Sequence, residues 1–180
     1  IDNYQGMSIL YGDCGDFSVV MRLTNSVLQY GADQEAYTRF QQVLLNAIKI
    51  LGEGHIIQKH DVFIKRKYQP KPSCEFLEQK YQEHFEGREY TEIRTYLTVT
   101  RQVKKGAFHT YDKKVMVTFG LNMAKVFDLL SGAALNPSYL TEAEINRFVN
   151  RVLAMEFEQP HITLDNLRCG DRGLQIGDRA

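Results

Sequence analysis

Apolar and polar positions alternate most clearly over residues 91–101, where Ile93, Thr95, Leu97 and Val99 fall on one face and Glu92, Arg94, Tyr96 and Thr98 on the other. A period of two is that of a strand with one buried side. Residues 16–23 repeat it, with Phe17, Val19, Met21 and Leu23 set against Ser18, Val20 and Arg22, and residues 7–11 also favour strand. Between them Gly12-Asp13-Cys14-Gly15 has turn composition, which predicts a β-hairpin. The period then becomes helical. Asp33 is placed to cap a helix that ends at Leu51 before Gly52 and Gly54, with Ala36, Phe40, Val43 and Ala47 on one stripe and Tyr37, Leu44, Ile48 and Leu51 beside it.

A strand over residues 55–67 leads to a turn at Pro70 and Pro72, then to a helix capped by Ser73 and reaching Phe85, with Leu77, Tyr81 and Phe85 expected inward. Residues 102–113 form a polar connection. Residues 114–131 mix signals: Val115-Met116-Val117 favours strand, whereas Met123, Val126, Phe127 and Leu130 have helical spacing, and the segment is read mainly as helix. After the break at Asn136-Pro137-Ser138, Thr141-Glu142-Ala143-Glu144 forms a capping box for a helix expected to reach Phe157 and to bury Ile145, Phe148, Val149 and Val152. Residues 162–169 and 174–176 flank the turn Gly170-Asp171-Arg172-Gly173 as a second hairpin. The order ββαβαβααββ predicts an α+β fold, an antiparallel or mixed sheet with helices mainly on one face.

The chain of 180 residues suits a single domain spanning 1–180. Lys and Arg together number 22, as do Asp and Glu, so there is no overall basic excess to hold a nucleic acid or an anionic membrane. No stretch approaches the roughly 20 apolar residues of a membrane-spanning helix, and a cytoplasmic protein is expected. Cys14, Cys74 and Cys169 lie far apart without metal-ligand spacing, which reads as reduced thiols. Ile1 at one end and Gly177-Asp178-Arg179-Ala180 at the other suggest a module of a longer polypeptide.

Candidate chemistry is sparse. No GxxxxGK[ST] loop is present to cradle a phosphate, and Gly12-Asp13-Cys14-Gly15-Asp16 carries carboxylates where a phosphate loop needs positive potential. Asp13, Asp16, Asp171 and Asp178 read as turn formers, and His55, His60, His84, His109 and His161 never fall at ligand spacing. No GxSxG elbow occurs. The expectation is therefore no catalytic, cofactor or metal residue. Lys65, Arg66 and Lys67 close one strand, and Arg101, Lys104 and Lys105, with Lys113 and Lys114, surround the polar connection; folding could bring these two basic runs to one end of the sheet as an interaction patch. Such a patch could meet anionic lipid, an acidic partner or, with Tyr68 or Tyr111 stacking on bases, nucleic acid.

Residues 9–17, the helix before Gly54-His55, the run Ile57-Gln58-Lys59-His60-Asp61-Val62-Phe63, and Phe76-Leu77 through His84-Phe85 resemble the N-terminal region of TraG-family ATPases of conjugative transposons. So do Thr95-Tyr96-Leu97-Thr98-Val99-Thr100 and Leu140-Thr141-Glu142-Ala143-Glu144-Ile145-Asn146 with Met155. The likeness covers nearly the whole chain, through structural rather than catalytic motifs. It implies the N-terminal module of a cytoplasmic motor of a type IV secretion system, related to VirB-type ATPases and peripheral at the inner membrane. ATP and Mg would belong to a C-terminal domain. This module would dock on inner-membrane components of the secretion channel or self-associate.

Overall fold

The computed structural model describes residues 2–12, 15–25, 33–72, 75–102, 113–154, 167–170 and 173–176. The chain is α+β, with eight strands and four helices among these residues. Strands β1 (Asp2–Tyr4), β2 (Met7–Tyr11), β3 (Phe17–Leu23), β4 (His55–Lys67), β5 (Glu89–Arg101) and the two-residue β6 (Ser138–Tyr139) form one sheet, with β7 (Leu167–Gly170) and β8 (Gly173–Ile176) a separate hairpin. Helices α1 (Gln34–Leu51), α2 (Phe76–Phe85), α3 (Lys113–Gly132) and α4 (Glu142–Ala154) complete it. The sheet order is β1-β2-β3-β5-β4, every pairing is antiparallel, and β6 continues the β2 edge of β3 at Met21 and Arg22. β1 and β6 are too short for alternation to reveal them, and neither was expected.

The β3 and β5 alternation divides the molecule into layers. Ile9, Val19, Met21, Leu97 and Val99 face α1 and α3, where Phe40, Ala47, Leu51, Met116, Phe119, Met123, Val126 and Leu130 meet them in the main core. On the opposite face Val20, Leu140 and Ile145 are buried with Leu10, Tyr96, Phe148 and Val149 against them, and among the described residues α4 with the Leu140 that precedes it covers that side. By length and composition α3 could cross a membrane, contrary to the expectation that no stretch would qualify. Its apolar stripe is the centre of this core.

Local signals act as expected at several helix ends. The Asp33 carboxylate accepts from the amides of Glu35 and Ala36 at 2.9 and 3.1 Å, and Gly52 ends α1 at φ +71°. Thr141 and Glu144 cap α4 reciprocally: the Thr141 amide donates to Glu144 Oε2 at 2.9 Å, and the Glu144 amide to Thr141 Oγ1 at 3.4 Å. Several inward assignments need correction. Tyr37 and Ile48 are half exposed on α1, and Val152 on α4 is 37% exposed. On α2 the polarity is reversed: Leu77 and Tyr81 face solvent, while Gln82 is buried, its Oε1 accepting the Lys71 amide in the Pro-flanked approach to the helix and its Nε2 donating to Glu78 at 3.2 Å. The N-cap position of α2 is Glu75, without a side-chain cap bond, rather than the expected Ser73; Ser73 itself, Asp13, Cys14, Cys74, the end of α4 expected at Phe157, and residues 162–166 lie outside the described residues.

Candidate functional site

β4 and β5 pair over thirteen residues each, but β5 pairs with β3 only from Thr95 to Arg101. Residues 62–67 and 89–94 therefore continue beyond the sheet as a two-stranded arm, about 20 Å long at roughly 3.4 Å per residue. α2 lies in the connection at its end. Large apolar side chains are exposed on the arm and on α2: Phe63 of β4 is 66% exposed, and Phe76, Leu77 and Tyr81 of α2 are 70%, 80% and 64% exposed. Beside them runs an aromatic chain, Tyr81 to Phe85 at 4.7 Å between ring centroids, Phe85 to Tyr68 at 6.4 Å, and Tyr68 to Tyr90 at 6.4 Å.

Lys65, Arg66 and Lys67 occupy the far end of this arm and line an open groove with Tyr68, Lys71 and Tyr90. Arg66 is tied down, its Nε 2.5 Å from Glu92 Oε2. Arg101 sits at the other end of the ribbon, opposite His55, twelve residues along β5 from the Glu89 that pairs with Lys67. That separation is about 40 Å of extended strand. Lys65, Arg66 and Lys67 therefore do not meet Arg101, because antiparallel pairing sends the end of β4 and the end of β5 in opposite directions. Arg101 is also engaged, donating from Nη1 to the Glu53 carbonyl at 2.6 Å. Lys104, Lys105 and Tyr111 lie outside the described residues.

Near Arg101, His55 stacks on Phe119 with centroids 5.9 Å apart and its Nδ1 3.2 Å from the Gly52 carbonyl oxygen, while Nε2 is buried without a hydrogen-bond partner. Burial above all, with the Arg101 charge adding to it, outweighs the Gly52 bond and holds the imidazole below its ordinary 6.5. A histidine depressed in the folded state contributes stability that is present above 6.5 and lost as pH falls through the folded value. The expected result is a melting temperature that declines on acidification below about 6.5, with a shallower decline in His55→Phe. Parallel curves for the two proteins over this range would refute it.

A third region was not foreseen in the sequence. Arg22 on β3, Arg94 on β5, and Arg147 and Arg151 on α4 line one cavity of about 90 Å³ with Val62, Tyr96, Leu140, Glu144 and Phe148. Arg94 Nε is held at 2.5 Å by Glu92 Oε1, the same carboxylate that binds Arg66, and these two guanidiniums, Arg94 first, hold Glu92 below the usual carboxylate range. The arginines are scattered over three elements, so no spacing rule could have grouped them. Among the described residues, no three or more His, Cys, Asp and Glu side chains cluster as metal ligands.

Compared with known families and with curated proteins, the chain matches no family model and no curated sequence.

Proposed function

We propose that this chain is a protein-docking module that acts through its arm, and that the parent polypeptide is a conjugative secretion motor of the TraG type. The observation that carries the docking reading is the exposed apolar side chains Phe76, Leu77 and Tyr81 on α2, with Phe63 on the β4 strand of the arm, each about two-thirds exposed or more. Neighbouring exposed apolar groups on a soluble surface mark contact sites with other proteins. The motor assignment rests on the resemblance, which implies contacts with the inner-membrane channel or self-association.

The test replaces Leu77 and Tyr81 by Asp in the parent protein and measures DNA transfer between cells. Because both side chains already face water, the double variant is expected to keep the wild-type melting temperature and to lose transfer at least tenfold. Normal transfer by a folded double variant would overturn the docking role.

The groove of Lys65, Lys67 and Lys71 with Tyr68 and Tyr90 favours a second reading, a single-stranded nucleic acid stacked on tyrosine. A lysine that neutralises one phosphate adds about one to the log–log slope of affinity against salt, so replacing it should lower the slope by about that amount. Oligonucleotide affinity unaffected by replacing Lys65, Lys67 and Lys71 together would exclude it.

A further inference from the structure

The geometry points to the arginine-lined cavity between β3, β5 and α4 as a binding site for a phosphate group, presented either as free orthophosphate or at the end of a phosphate monoester. The cavity gathers Arg22, Arg94, Arg147 and Arg151 around one space, with Arg66 adjacent to Arg94 through their shared Glu92. Against five guanidiniums stand two carboxylates, and both are already engaged. Glu92 binds Arg66 and Arg94, and Glu144 accepts from the Thr141 amide and hydroxyl as part of the α4 cap. No carboxylate lies within ion-pair distance of Arg22, Arg147 or Arg151 among the described residues.

Among the four, Arg151 has an orphan donor. Its Nε is buried without a hydrogen-bond partner, and a buried donor lacking an acceptor is unfavourable. Burial first, then the charges of Arg94 and Arg147, lower its pKa. Arg147 lies four residues before it, where like charges on a helix repel. An arginine does not relieve this by losing its proton. An anion between the guanidiniums satisfies the orphan donor and the repulsion together.

The choice of phosphate follows from shape and charge. Guanidinium forks offer paired, coplanar N–H donors that match a tetrahedral oxyanion bidentately. A volume of about 90 Å³ is well above the roughly 10–15 Å³ that a single water needs. That leaves room for a phosphate group. Val62, Leu140, Tyr96 and Phe148 form the apolar wall, which strengthens each charge-assisted hydrogen bond.

The site is independent of the arm-docking reading and is tested separately. Isothermal titration of the chain with orthophosphate, against sodium chloride at matched ionic strength, is expected to show one saturable site. Arg147→Met, an exposed position whose replacement leaves the fold intact, is expected to weaken binding at least tenfold, as is Arg151→Met. Lys49→Met on α1, remote from the cavity, should leave it unchanged. Glycerol phosphate binding as tightly as orthophosphate identifies the site as one for monoesters, and binding of orthophosphate alone identifies it as one for the free ion; either supports the assignment. A response to phosphate no larger than to chloride, or affinity unchanged in a folded Arg147→Met, overturns it.

Discussion

Phe119→Ala is expected to destabilise the protein by about 3–5 kcal/mol, the range for removing a buried phenylalanine side chain. Phe119 is 1% exposed at the meeting point of three elements. From α3 its ring meets the edge of Phe17 on β3 at 5.0 Å and an interplanar angle of 82°, and it stacks on His55 at the start of β4. The next residue, Gly120, lets the Tyr4 ring close against α3: a Cβ there would stand 2.8 Å from Tyr4 Cε1. With α3 held this tightly against the strands, the site cannot collapse to fill the void, which places the loss toward the upper end of the range. A domain of this size has about 5–15 kcal/mol in total, so the variant should be largely unfolded in mild urea. A loss below about 1 kcal/mol in urea denaturation would show that α3 does not pack on the hairpin as described. Phe119→Leu, which keeps most of the volume, should lose far less.

Thr95→Val is expected to cost about 1–3 kcal/mol although it preserves shape, because it removes a hydroxyl that is used twice. Thr95 is 1% exposed, accepts from Asn25 Nδ2 at 3.0 Å and donates to Asp61 Oδ1 at 2.6 Å. Lys59 pairs with the other Asp61 oxygen. Burial pushes the Asp61 carboxyl up, but the bonds from Lys59 and Thr95 together outweigh it and hold the group below its ordinary 3.8. For a carboxylate depressed in the folded state, the stabilisation is present above that ordinary value and disappears as pH falls through the folded one. Wild type should therefore lose stability below pH about 4, and Thr95→Val, already lacking one of the bonds, should lose less over the same interval. Equal unfolding free energies for the two proteins at pH 7 would remove Thr95 from this network.

Elements governed by short-range chemistry were legible in advance. The Asp33 cap, the Thr141–Glu144 box and the alternation of residues 17–23 each depend on atoms within a few residues, and each took the expected form. The strand-like run Val115-Met116-Val117 was ambiguous locally, and burial of Met116 with Phe119, Met123 and Val126 on one stripe resolved it as helix. α2 misled because Leu77, Tyr81 and Phe85 have the spacing of a core stripe, yet Leu77 and Tyr81 face solvent and Gln82 is the side chain that is buried.

Of the surfaces that bear on function, less could be read from the chain. Lys65, Arg66, Lys67 and Arg101 were identifiable as basic residues, but their separation follows from the β4–β5 register, which pairs Lys67 with Glu89 and His55 with Arg101. The cavity arginines come from β3, β5 and α4, positions 22 to 151, and share a space only because α4 crosses the outer face of the sheet. By itself, then, the amino-acid order determined the longer helices and strands, the caps at Asp33 and Thr141, and that the chain forms an α+β domain. The tertiary structure alone decided that β4 and β5 outrun the sheet as an arm and that four arginines line one cavity. Propensity and capping act over a few residues along the backbone, whereas strand register and the approach of side chains from distant elements are set by the packing of the whole core.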